Sequence, residues 1–152
     1  DVTIDFKVMI HAIHASGEIK VPYKVCGYSN SAHEFLIEYP GHVNNCEGCH
    51  APGTYFPVDP SAVLGTTIDS GADPALVTDD VVVSPNAAVC STCHITDLAK
   101  QHMTQNGGDF EATKAADSTL ISSGVETCGL CHGEGRIADV EAMHGVGDFK
   151  FN

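Results

Sequence analysis

The sequence predicts a mainly irregular chain with a few short α-helices and at most a small β-hairpin, around a core that polypeptide alone does not fill. Three observations lead there. Cys46-Glu47-Gly48-Cys49-His50, Cys90-Ser91-Thr92-Cys93-His94 and Cys128-Gly129-Leu130-Cys131-His132 are three copies of C-x-x-C-H. The 152 residues include no Trp, few aromatics, 15 Gly and 7 Pro, which leaves a thin apolar core for this length. Long stretches without periodicity separate the few periodic segments. C-x-x-C-H is the attachment signature of c-type haem. Its two thiols are spaced to form thioethers with the two vinyl groups of one porphyrin, and the adjacent His offers its imidazole to the iron. The fold class is therefore a multihaem cytochrome c, a single domain over residues 1–152. Its core is built on three covalently held, stacked haems acting as large apolar plates.

The elements follow in chain order. Residues 5–16 read as a helix, with Asp5 as N-cap and Gly17 as the C′ stop. Loose alternation over 19–39 (Ile19, Val21, Tyr23, Val25, then Phe35, Ile37, Tyr39) reads as a hairpin turning at 27–31. Pro40-Gly41 breaks the chain before the first motif. Residues 51–84 read as loop, punctuated by Pro and Gly, with a strand only at 81–83. A loop so long suits a chain that wraps a haem and buries its edge. Pro85 opens a short helix over 86–93, and another over 97–106 stops at Gly107-Gly108. Residues 109–123 are expected to be helical. A last helix over 137–144 ends at Gly145, with Ile137, Val140 and His144 on one face. The motifs do not recur at a fixed period, which excludes a repeat array.

Twenty acidic against 7 basic residues give a net charge of −13. With no Lys/Arg stripe to neutralise phosphates, nucleic acid is excluded as a partner. The charge makes a solvated, self-repelling surface, or steers the chain toward a cationic or metal-bearing partner. No stretch approaches the length of a membrane span. Haem attachment needs an exported apoprotein with reduced thiols, so the chain is expected to be a mature or excised form without its leader. Six of the seven cysteines belong to the motifs. Cys26 is left over and is expected as a buried free thiol rather than an intermolecular disulfide.

His50, His94 and His132 are the proximal ligands by position. Six histidines remain: His11, His14, His33, His42, His102 and His144. Of the methionines Met9, Met103 and Met143, the last two adjoin a His. Neighbours on a helix point about 100° apart, so only one of each couple can face a given iron. Histidine is in surplus, and bis-His haems, with their lower potentials, are expected. His11 and His14 diverge by about 60°, so they cannot bind one iron from opposite sides. They could serve two haems flanking the helix, or be core or surface histidines among Val8, Ile10 and Ile13. His102 lies about 12 Å along a helix axis from His94 and should reach a different haem. His144, on the apolar face of the last helix, reads as a ligand. His33 and His42, in hairpin and loop sequence, read as solvated.

The pattern resembles the outer-membrane decahaem cytochromes of the OmcA/MtrC type. The resemblance runs over residues 5–147. It rests on Asp5-Phe6-Lys7-Val8-Met9-Ile10-His11-Ala12-Ile13-His14, on Tyr39-Pro40-Gly41 leading to the first motif, and on Ala88-Val89 before the second. His102-Met103 with Gly107-Gly108, Glu126-Thr127 before Cys128, and Asp139-Val140 before His144-Gly145 complete it. The resemblance implies the later three-haem part of a five-haem domain, with His11, His14, His102 and His144 as distal ligands. Two earlier C-x-x-C-H motifs of that pattern are not in this sequence. Three haems cannot use four distal histidines, so one of His11 and His14 is idle, serves a haem not encoded here, or caps a haem of a neighbouring molecule.

The expected function is electron transfer along a chain of bis-His haems, not catalysis. Saturated irons change oxidation state with little ligand rearrangement and exclude substrate. The resemblance implies an exported protein at the cell surface or outside the cell, or in the periplasm. It also implies redox partner proteins and extracellular metal oxides, soluble metals or flavins as acceptors, with self-association joining haems between chains left open. The alternative is a multihaem reductase with one open iron; a zinc-stapled module would leave one of three C-x-x-C pairs orphaned.

Overall fold

The computed structural model of the chain describes residues 3–58, 63–115, 120–121 and 125–146. Helix α1, Phe6–Ile19, begins where the sequence places it: the Asp5 carboxylate accepts the Lys7 N–H at 3.0 Å as N-cap and pairs with Lys7 Nζ at 2.6 Å. The Thr66 hydroxyl donates to the same carboxylate and ties α1 to the sheet behind it. Gly17 does not stop the helix. A Cβ there would run into the Ile37 carbonyl, so Gly17 serves a close backbone approach. Ser16 beside it donates to the Ile13 carbonyl at 2.7 Å and accepts the Ile37 N–H at 3.0 Å. The helix ends three residues later than expected, where Lys20 takes the left-handed conformation (φ 56°).

The predicted hairpin is present: β1, Tyr23–Cys26, pairs antiparallel with β2, Ala32–Phe35, in the register Tyr23 to Phe35, with a 3₁₀ turn at Tyr28–Asn30 between them. Cys26 sits at the mouth of that turn and is exposed, not buried as expected. Along its strand Tyr23 is buried, whereas Cys26 falls on an exposed position at the far end.

A second sheet goes beyond the single hairpin expected. β3, Thr66–Ile68, β4, Val81–Val83, β5, Ala112–Lys114, and β6, Leu120–Ile121, form an antiparallel meander in chain order. β5 and β6 correct the helix expected over 109–123. Val81 and Val82 have a free edge beside β3, and Thr113 and Ala112 fill it. Pairing with a β-branched neighbour overrides helix propensity here.

The remaining helices are short. α2, Pro85–Cys90, has Pro at its first turn; α3, Asp97–Gln105, is capped by Thr96; α4, Gly129–His132, lies inside the third motif; α5, Val140–His144, is capped by Asp139. Asp139 accepts the Glu141 and Ala142 N–H groups, which starts α5 at Val140 and leaves Ile137 outside it. α1 packs on α2, and a small core of Val83, Ala87 and Ala88 gathers Val8, Ile68, Met103 and Phe110 around it. The largest side chains that are fully buried are only Thr66 and Ser16. Meanwhile Leu98 (76 %), Leu130 (71 %) and Ile137 (87 %) stand exposed near the histidines. The thin polypeptide core is as the composition predicts. Among the described residues, no helix is long and apolar enough to cross a membrane.

Candidate functional site

All three motifs adopt one turn. The His50 N–H donates to the Cys46 carbonyl, the His94 N–H to that of Cys90, and the His132 N–H to that of Cys128, each at 2.9 Å. A second bond closes each turn from the later Cys to the earlier one, at 3.1, 3.3 and 3.2 Å. This winding gathers the two sulfurs and the imidazole of a motif toward one side. None of the six motif cysteines is in a disulfide.

Each motif histidine faces one other histidine. The ring centroids of His11 and His50 are 6.1 Å apart, those of His94 and His144 6.0 Å, and those of His102 and His132 6.0 Å. The first pair is nearly parallel, at 25°, and the others nearly perpendicular, at 78° and 79°. A metal held between two imidazole nitrogens at about 2 Å each, with each ring centre about 1 Å further back, puts the centroids about 6 Å apart. The residues present therefore fit a six-coordinate haem iron at all three places.

One ring of every pair is oriented by the backbone. His11 Nδ1 lies 2.5 Å from the Lys7 carbonyl, His144 Nδ1 2.8 Å from that of Val140, and His132 Nδ1 2.9 Å from that of Ala138. A carbonyl only accepts, so each Nδ1 carries the proton. Nε2 is left with its lone pair for a metal.

The other predicted residues divide. His102, on α3, faces His132 and not His94, in line with the axial distance argued from sequence. His14 faces no histidine among the described residues; its ring stacks on Tyr39 at 4.5 Å. His33 is exposed beside Ser31, and His42 is exposed too.

The supporting roles of Glu126, Asn44, Tyr55 and Glu141 escaped sequence reasoning. The Glu126 carboxylate accepts the Ala87 N–H (2.8 Å), the Asn86 N–H (2.9 Å) and the Ser84 hydroxyl (2.6 Å), so it caps α2 from two residues before the third motif. Burial pushes the Cys90 thiol up to about 11, with a smaller push from the Cys128 thiol. Asn44 Nδ2 donates to the His144 carbonyl at 2.5 Å, and the Tyr55 hydroxyl to Glu141 Oε1 at 2.6 Å. Both bonds join the first motif's loop to α5. Their partners lie far off in sequence, so no local pattern announces them.

Residues 1–145 match the family model described as outer membrane cytochrome MtrC/MtrF-like, domains II/IV. Comparison with curated proteins returned no match.

Proposed function

The chain belongs to the MtrC/MtrF-like outer membrane cytochromes, and from that premise we propose that it carries three bis-His c-type haems as a short electron wire. Its family makes it a multihaem c-type cytochrome of the cell surface, working in electron transfer. The proposal adds the number, the ligands and the order. Cys46 and Cys49, Cys90 and Cys93, and Cys128 and Cys131 hold the three porphyrins. His50 with His11, His94 with His144, and His132 with His102 hold the irons. The three pairs of rings about 6 Å apart carry this reading.

Haem, when bound, supplies a one-electron iron couple. The chain's part would be to hold the iron between the two imidazoles of each pair, with Nε2 as the free donor atom, and so to leave no place for substrate there. The Asn44 and Tyr55 bonds tie the loop around the first motif to the helix that bears His144. The acidic surface favours metal cations and cationic proteins as acceptors. We assign the wire to extracellular metal-reducing respiration, with metal oxides, soluble metals or flavins at its outer end. His14, stacked on Tyr39, is the surplus histidine.

Haem quantitation with EPR tests the reading. The expected result is three haems, all low-spin ferric. Two should give the highly anisotropic signal of perpendicular imidazole planes, and one the rhombic signal of parallel planes. A high-spin component, or rapid CO binding by the reduced protein, would instead favour the open-iron reductase.

A further inference from the structure

The contact between Tyr55 and Glu141 has no role in holding a haem, yet it places a carboxylate against one particular centre. Glu141 sits on α5 one turn before His144, but its side chain reaches to the first motif, where Oε1 accepts the Tyr55 hydroxyl at 2.6 Å. The Tyr55 ring in turn meets the His50 ring edge-on, with centroids 6.0 Å apart. A hydroxyl bond to an ionised carboxylate is short and strong, so it keeps the charge from swinging into solvent. The Asn44 bond to the His144 carbonyl holds α5 against the same loop from its other end.

We propose that Glu141, locked in place by Tyr55, is a potential-setting residue for the His11/His50 centre. A fixed negative charge stabilises the ferric form, which carries one more positive charge than the ferrous form. It therefore depresses the potential of the first centre below the value its two imidazoles alone would set. Glu141 thus biases the energy step between first and second centres through a residue borne on the helix of the second.

This inference rests on the three-centre reading above, and the experiment separates the two. Potentiometric titration of the holoprotein, followed spectroscopically, resolves three one-electron components. His11→Met marks the first centre by raising its component. Glu141→Gln should raise that same component. The ferrous-to-ferric ratio at fixed poise should change about threefold to tenfold, or about 30 to 60 mV. Tyr55→Phe should raise it by less, since the carboxylate stays but loses its tether. Glu111→Gln removes an equal charge at an exposed site before β5 and should move nothing. Equal shifts of all components in both Gln variants, or no shift in Glu141→Gln, overturn the inference. A wild-type protein with fewer than three low-spin haems overturns the ligand reading instead.

Discussion

At the scale of single residues, the structure separates histidines that the sequence leaves equivalent. His11 and His14 share one helix and one apolar neighbourhood, but only His11 faces an imidazole, and its Nδ1 is tied to the carbonyl one turn back. We expect His11→Ala to convert one haem to high spin, whereas His14→Ala leaves all three low-spin; three low-spin haems in both variants would make α1 purely structural. His144 is exposed and ends a five-residue helix, yet its ring stands over His94. His144→Ala should likewise open one iron, seen as a high-spin EPR signal and new CO binding. His144→Met should keep six-coordination and raise one potential. An unchanged spectrum in both variants would remove His144 from the ligand set.

Whole elements are held by contacts that single residues make across the chain. Gly17 lets the backbone at Ile37 close on α1, which keeps the hairpin against the helix that carries His11. Gly17→Ala should cost about 1–3 kcal/mol of stability, measured by chemical denaturation, because the overlap is with backbone and cannot be relieved by a rotamer. A neutral effect would mean that this close approach loosens easily in solution. α5 depends on Asp139, whose carboxyl is held below its ordinary 3.8 first by the Gly135 N–H and then by those of Ala142 and Glu141. A depressed folded pKa contributes stability above the unfolded value and loses it as pH falls through the folded one. Acidification below about pH 4 should therefore fray α5 and release His144. A low-spin His94 centre persisting in acid as well in Asp139→Ala as in wild type would speak against this.

Across the described residues, two small sheets and five short helices surround a core in which no side chain larger than Thr66 is fully buried. Large apolar side chains such as Leu98, Leu130 and Ile137 stand exposed, and under the three-haem proposal porphyrins would cover such surface. Hence replacing all six motif cysteines by Ala should leave a chain without cooperative unfolding or dispersed NMR signals. A haemless chain that melted as sharply as the holoprotein would show that the polypeptide core suffices.

By itself, the sequence determined the three C-x-x-C-H turns, the capped start of α1 and the thinness of the core. Each of these is a local or compositional property: a five-residue spacing, a carboxylate before a periodic run, a shortage of large apolar residues. Only the tertiary structure decided which histidine faces which, that Gly17 serves packing rather than termination, and that Ala112–Lys114 and Leu120–Ile121 pair as strands. It also decided that Glu126 and Glu141 reach across to motifs other than their own. Those outcomes depend on which segments meet in space. No spacing along the chain encodes a 6.0 Å gap between rings on separate segments, because that gap is set by how those segments pack.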